Sequence, residues 1–149
     1  MDMLSRRIVG YAMADHMRTN LIIDCLNMAM TNRNPAKGLI HHSDRGSQYT
    51  SYRFQNKLIA SGFQASFTGD GACLDNARIE SFWASLKKEL ECLRTPFSSR
   101  EEARKIITEY INIYYNAKRI HSSIDYRSPL SFEEYLQTKN TTPLDKFAA

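Results

Sequence analysis

The sequence has 149 residues, of which 20 are Lys or Arg and 16 are Asp or Glu, so its formal net charge is +4. This length is typical of one domain, and a composition that is 42% hydrophobic and 24% charged excludes a disordered or low-complexity chain. No apolar run approaches the roughly 18 residues of a membrane span, and no segment after Met1 resembles a secretory signal. The three cysteines (Cys25, Cys73, Cys92) are widely spaced, which argues against a disulfide framework or a zinc site and favours the reducing cytoplasm.

Hydrophobic spacing and turn residues predict the secondary-structure elements in chain order. The first half contains a strand over 6–13, a helix over 19–32 capped by Asp15, a buried strand over 39–42, a helix over about 51–61 ended by Gly62, and a strand over 63–67. The second half contains a flexible loop over 68–72, a helix over 75–91 capped by Asp75, a helix over about 99–117, an amphipathic segment over 130–136 and a frayed end.

The order of strands and helices predicts an α/β fold with crossover connections. Three strands make a small sheet for this architecture, and only five residues precede the first predicted strand. We therefore expect a strand of the complete sheet to lie upstream of this sequence. An edge left open in this way invites pairing with another chain, which predicts a homo-oligomer.

Two carboxylates stand out by their positions. Asp44 follows a predicted strand end, where open α/β sheets collect reactive groups, and Glu80 lies in the first turns of a helix, outside its apolar stripe. Lys87 shares the face of Glu80 because seven residues make nearly two turns. Carboxylate oxygens are ligands that Mg²⁺ prefers, and two such ions can stabilise an in-line displacement at phosphorus. The simpler interpretations are that Asp44 caps a turn and that Glu80 complements the helix dipole.

The residues around both carboxylates resemble the motifs of bacterial insertion-sequence transposases. Residues 42–49 (HSDRGSQY) resemble the second-aspartate motif, residues 75–83 (DNARIESFW) the glutamate motif, and 35 residues separate Asp44 from Glu80, as in that family. Residues 115–123 (YNAKRIHSS) with 126–129 (YRSP) are similar to its C-terminal motif, and 5–10 (SRRIVG) to its second strand. The resemblance extends to about Leu136.

The resemblance implies a catalytic core of the retroviral-integrase superfamily, with a three-layer ribonuclease-H-like fold. It implies Asp44 and Glu80 as catalytic residues and ligands of Mg²⁺ or Mn²⁺, and DNA as the partner. The implied domain covers residues 1–136, followed by a tail over 137–149. The family's first catalytic Asp has no counterpart here, since Asp2 matches a non-catalytic position. We therefore expect weak or no strand transfer from this chain alone.

The resemblance also suggests DNA contacts. They are assigned to Lys87, Arg45, Arg119 and His121, whereas Gln48 is expected to form local turn hydrogen bonds and Trp83 to pack in the core. A solvated lysine or a simple turn arginine remains the alternative for the first two. The alternative for the whole chain is a non-catalytic transposase remnant that binds DNA or pairs with a full-length copy. The C-terminal motif argues, by resemblance, against a nuclease.

Overall fold

The computed structural model describes residues 1–69, 76–91 and 97–141. The chain forms two compact units. The first unit comprises Val9–Arg94 together with Met1, and the second unit comprises Asp2–Ile8 with Thr95–Ala149. Several expectations lie outside the described residues: the Asp75 cap, loop residues 70–72, Cys73, Cys92 and the end of the chain from 142 onwards.

The first unit is an α/β layer around a short parallel sheet. Its elements are α1 (Thr19–Arg33), β1 (Ile40–Ser43), α2 (Tyr52–Ala60), β2 (Gln64–Phe67) and α3 (Ala77–Glu91). β1 and β2 pair in parallel, with Ile40 opposite Gln64 and Ser43 opposite Phe67. Parallel pairing requires a crossover connection, which α2 supplies. The carboxyl ends of both strands therefore lie at the same edge of the sheet.

The core of the first unit is built around α2. Phe54 and Leu58, four residues apart on one face, are each 1% exposed and cluster with Leu26 of α1 and with Phe63. The Ser51 side chain caps α2 by accepting the Phe54 amide, and Gly62 adopts φ +74° just after the helix. Burying each large apolar side chain contributes about 1.5–3 kcal/mol, so this cluster holds α1, α2 and the residue before β2 together.

The second unit consists of helical segments. They are α4 (Arg100–Glu109), a π-helical segment (Tyr110–Tyr115), a 3₁₀ turn (Ser122–Ile124) and α5 (Pro129–Thr141). At the start of α4, the Ser99 hydroxyl accepts the Glu102 amide, while the Glu102 carboxylate accepts the Ser98 amide and hydroxyl. These bonds satisfy donors that a helix start leaves unpaired. The pKa of Glu102 is accordingly lowered by the Ser98 bonds.

Residues 2–8 belong to the second unit through contacts with distant residues. The buried Asn116 side chain accepts the Ile8 amide at 2.9 Å and donates to the Ile8 carbonyl at 3.0 Å. Arg7 Nη1 lies 2.8 Å from Oε2 of Glu133, and Oε1 of the same carboxylate accepts the Ser5 hydroxyl at 2.6 Å. The short segment is therefore held along its length.

The predicted strand over 6–13 is wrong for the described structure, which contains two strands rather than three. Arg6 has φ +63°, which interrupts an extended run, and the Asp2 carboxylate caps a turn by accepting the Leu4 and Ser5 amides. Gly10 packs against α1, where an added Cβ would lie 2.7 Å from the Ala29 amide nitrogen. Residues whose side chains favour extended backbone form a strand only when a neighbouring strand pairs with their backbone amide and carbonyl groups.

Helix boundaries and burial depart from expectation at several positions. Arg18 rather than Asp15 occupies the N-cap of α1, and its side chain makes no capping bond. Leu39 is 48% and Ile40 63% exposed, so β1 is not the buried strand that its apolar residues suggested. Trp83 is 50% exposed, because the buried position on α3 is taken by Phe82, one residue and about 100° away.

The predicted continuous helix over 99–117 divides at Tyr110. In the π-helical segment the backbone bond runs five residues back, as from the Asn116 amide to the Ile111 carbonyl. The buried face therefore passes from Tyr110 to Tyr115, which is 0% exposed. Tyr114, which would share the face of Tyr110 in a regular α-helix, is 44% exposed. The predicted domain boundary after Leu136 falls inside α5. No helix among the described residues has the length and apolarity to cross a bilayer.

Candidate functional site

Asp44 is the first residue after β1 and is exposed to solvent. Its Oδ1 accepts the Gly46 amide at 2.9 Å, which confirms the turn-capping interpretation. A Cβ at Gly46 would lie 2.9 Å from the same oxygen, so a side chain there would push the Asp44 carboxylate aside. Among the residues that the structure describes, none donates a hydrogen bond to Oδ2. One carboxylate oxygen is thus fixed by the backbone and the other faces solvent, where it is accessible to a ligand.

The loop after Asp44 is fastened to the rest of the first unit. The Gln48 side chain makes one local bond, accepting the Ser47 hydroxyl at 3.5 Å, and one distant bond, donating from Nε2 to the Met17 carbonyl at 2.9 Å, so the expected local bonding is only part of its role. Gln55 of α2 donates to the Tyr49 carbonyl at 2.6 Å. The Tyr49 ring packs edge-on against Phe54 with centroids 5.6 Å apart. These contacts give Asp44 a defined direction.

The two adjacent histidines of β1 have different neighbours, as the alternation of a strand requires. The His41 ring packs against Phe54, with centroids 5.3 Å apart. His42 instead contacts hydroxyls, with Nδ1 3.0 Å from Ser66 Oγ and Nε2 3.3 Å from Thr68 Oγ1.

Electrostatics around Asp44 are set by burial and by its own charge. The pKa of Tyr49 is raised, mainly by burial and further by the negative charges of Cys25 and Asp44. The pKa of His41 is lowered, chiefly because burial penalises the imidazolium. Both shifts favour the neutral forms of these two side chains, which lie behind the Asp44 loop.

Glu80 lies in the first turn of α3 and is exposed, as is Lys87 on the same side of the helix. Phe82 and Leu86, four residues apart, are the buried residues of α3 and form an apolar stripe along it. The position of Glu80 outside that stripe is confirmed. The face that carries Glu80 and Lys87 is therefore available to solvent and to a charged ligand.

Hydrogen bonds connect the end of β1 with the start of α3. The Thr68 amide donates to the Ser43 carbonyl at 3.0 Å, and the Thr68 hydroxyl does so at 3.3 Å. Asn76, the residue before α3, donates from Nδ2 to Thr68 Oγ1 at 2.9 Å. Arg45 adds a bond from Nε to the Thr68 carbonyl at 3.3 Å. The segments that carry Asp44 and Glu80 are thus linked through Thr68.

Sequence reasoning did not single out Thr68 and missed the role of Asn76, although each carries a signal. Thr68 directly follows β2, at the sheet edge where the first carboxylate was expected. Asn76 precedes a helix, a position where amide side chains commonly cap. Neither signal reveals that the two side chains bond to each other, because that contact is not local in sequence.

The donor set suits a hard divalent cation. Asp44 and Glu80 both present exposed carboxylates, the ligand type that Mg²⁺ and Mn²⁺ prefer. Within the described ranges, no three His, Cys, Asp or Glu side chains group closely enough to hold a metal ion. Asp44 and Glu80 are thus two candidate ligands without a third beside them in the described ranges. Their roles as metal ligands and catalytic residues stay predictions.

The motif residues of the second unit are mostly buried. Tyr115 packs edge-on against His121 with centroids 5.0 Å apart, and His121 is 7% exposed. The Arg119 guanidinium lies 5.9 Å from the centre of the Tyr115 ring, and its Nη1 lies 3.1 Å from His121 Nδ1. The predicted DNA contacts of Arg119 and His121 remain untested, and little of the His121 surface is left for such a contact.

Comparison with known proteins gives two family matches and several relatives. Two models described as "Integrase core domain" match residues 1–73 and 61–129. The chain is 46% identical over 134 residues to "Transposase for insertion sequence element IS904" of Lactococcus lactis subsp. lactis (strain IL1403), covering 90% of this chain and 53% of that protein. No solved structure matches the chain significantly.

Two further relatives have the same character. One is "Insertion element IS600 uncharacterized 31 kDa protein" of Shigella sonnei, 44% identical over 133 residues, which are 89% of this chain and 48% of the relative. The other is "Transposase InsF for insertion sequence IS3A" of Escherichia coli (strain K12), 39% identical over 133 residues, 89% of this chain and 46% of the relative. The chain therefore spans about half the length of these curated relatives.

Proposed function

This chain belongs to the integrase-core family of insertion-sequence transposases, and we propose that it forms part of a catalytic core that cuts and joins DNA during transposition. The family implies a ribonuclease-H-like fold, and the α/β first unit with its parallel β1–β2 pair is consistent with it. We include in the proposal the three-layer form of that fold. DNA ends and target DNA are the proposed substrates.

The proposed catalytic residues are Asp44 and Glu80, acting as ligands of Mg²⁺ or Mn²⁺. A bound divalent ion would stabilise charge on the attacking and leaving oxygens of the phosphoryl group. The observation that carries this proposal is the hydrogen-bonded link between the end of β1 and the start of α3, through Ser43, Thr68 and Asn76. Asp44 follows Ser43 directly, and Glu80 is one helical turn beyond Asn76.

The proposed DNA contacts surround these carboxylates. Lys87 lies on the exposed face of α3 with Glu80, and the exposed Arg45 follows Asp44 in sequence. Cations next to a carboxylate site offset the repulsion between the carboxylates and a phosphate backbone. Arg119 and His121 are the proposed contacts from the second unit, where Arg119 is the more exposed of the two.

Metal binding by the intact chain tests the site directly. Asp44→Asn and Glu80→Gln should each weaken Mn²⁺ binding at least 10-fold in a calorimetric titration, because each removes a charged ligand while keeping side-chain size. Asp24→Asn and Glu91→Gln remove the same charge from exposed positions on α1 and α3 and serve as controls. Equal binding by all four variants would contradict the proposed site.

We also propose that the isolated chain joins DNA weakly and self-associates. A site for two ions needs a ligand that bridges them, whereas Asp44 and Glu80 are the two ligands assigned. In the described part of the chain the sheet has two strands, so β1 and β2 each have an edge without a partner strand. Robust joining of a processed element end by the isolated chain with Mn²⁺ would contradict the weak activity. A monomer in light scattering at high concentration would contradict the self-association.

A further inference from the structure

We propose that Thr68 is a positioning residue whose hydroxyl holds the first turn of α3, with Glu80, against the end of β1, with Asp44. The inference rests on the proposed function for its consequence, metal binding, but the link itself is a property of the fold. Thr68 touches neither carboxylate in the structure. It acts through Ser43 on one side and Asn76 on the other.

Thr68 makes two hydrogen bonds to the end of β1. Both the amide and the hydroxyl of Thr68 donate to the Ser43 carbonyl, at 3.0 and 3.3 Å. That carbonyl belongs to the peptide unit that joins Ser43 to Asp44. The peptide unit is planar and stiff, so fixing its oxygen restricts the orientation of the Asp44 backbone. Asp44 Oδ1 is then held by the Gly46 amide.

The bond to α3 is made by a side chain. Asn76 Nδ2 donates to Thr68 Oγ1 at 2.9 Å, and Asn76 immediately precedes Ala77, the first residue of α3. Residues four apart in a helix lie on the same face. An anchor at Asn76 therefore fixes the rotation of the turn that presents Glu80.

The hydrogen-bonding capacity of the hydroxyl predicts a measurable detail. A threonine hydroxyl has one proton and two lone pairs. If the proton goes to the Ser43 carbonyl, both lone pairs accept, one from Asn76 and one from His42 Nε2, which lies 3.3 Å away. His42 then carries its proton on Nε2 when neutral, and Nδ1 accepts from the Ser66 hydroxyl at 3.0 Å. The Nε2–H tautomer is thus the arrangement that satisfies every member of this network.

The test compares Thr68→Val, which keeps the shape and removes the hydroxyl, with Thr68→Ser, which keeps the hydroxyl. In the intact chain, Thr68→Val should weaken Mn²⁺ binding by about 10-fold or more, the usual effect of losing a partner behind a metal ligand. Thr68→Ser should bind within about 2-fold of the unchanged protein. Asn76→Ala removes the other partner of the hydrogen bond to Thr68 without changing a residue next to the sheet, and it should weaken Mn²⁺ binding as much as Thr68→Val does.

Two readouts besides metal binding separate this inference from the proposed function. The first is hydrogen exchange at the Glu80 and Ser81 amides, which should be faster in Thr68→Val than in Thr68→Ser. The second is ¹⁵N NMR of His42, which should show the Nε2–H tautomer in the unchanged protein and the loss of that tautomer in Thr68→Val. If the unchanged protein binds no Mn²⁺, the proposed function fails while these readouts still decide the link. Equal exchange, equal tautomer and equal Mn²⁺ affinity in the Val and Ser variants would overturn the positioning role.

Discussion

The loop that begins at Asp44 in the first unit and the cluster of Tyr115, Arg119 and His121 in the second unit both carry motif residues, but they differ in exposure to solvent. Asp44, Glu80 and Lys87 are exposed. Tyr115 and His121 are almost entirely buried and contact each other. A motif of mixed aromatic and basic residues therefore stabilises one unit, whereas a motif of acids and small polar residues leaves the other unit open to a ligand.

The largest effect that tests this comparison is on stability of the second unit. Tyr115→Ala should lower the free energy of unfolding by about 3–5 kcal/mol, since it empties a fully buried site. Tyr114→Ala is the matched control from the next position, which is 44% exposed, and should cost much less. Chemical denaturation measures both. Equal losses would show that the π-helical spacing does not select the buried face.

A smaller effect separates DNA binding from stability in the first unit. Lys87→Gln should lower affinity for duplex DNA and reduce the salt dependence of binding by about one phosphate contact, with an unchanged melting temperature. Lys88→Gln, the exposed neighbour about 100° around α3, is the control and should change binding less. If the two variants behave alike, the face shared with Glu80 has no special relation to DNA.

The smallest expected effect is a pH dependence from His41. Burial lowers its pKa in the folded state, so the unfolded chain binds more protons between the folded pKa and the ordinary value of about 6.5. Stability contributed by neutral His41 is therefore present above that ordinary value and is lost as pH falls through the window towards the folded pKa. His41→Phe should flatten this part of the curve of melting temperature against pH, and an unchanged slope would contradict the prediction.

Local patterns predicted the elements whose signals are complete within a few residues. Helix α2 was expected over about 51–61 and spans Tyr52–Ala60, because Ser51, the Phe54–Leu58 face and Gly62 each act locally. Asp44 was expected directly after a strand, and β1 ends at Ser43. Of the candidate site, the position of Asp44 after a strand and that of Glu80 outside the apolar stripe of its helix followed from sequence. Their assignment as metal ligands came from the family resemblance and stays a prediction.

The features that sequence did not predict depend on distant partners. Residues 6–13 have strand-forming side chains, but a strand also needs a neighbour, and Gly10 instead lies against α1. The burial of Tyr115 depends on one extra residue per turn, which α-helical periodicity does not represent. The Thr68–Asn76 bond joins residues on either side of the loop between β2 and α3. Such contacts are visible only once the chain is folded.

The attachment of Ile8 to Asn116 has a consequence for how the protein is made. Residues 2–8 leave the ribosome long before Asn116 and Glu133 are synthesised, so their partners do not exist when they emerge. The second unit can close only late, after the intervening chain has emerged, and contacts between residues so far apart in sequence form slowly. A nascent chain stalled before residue 116 should therefore leave residues 2–8 open to proteases, while α1 and α2 are already able to pair.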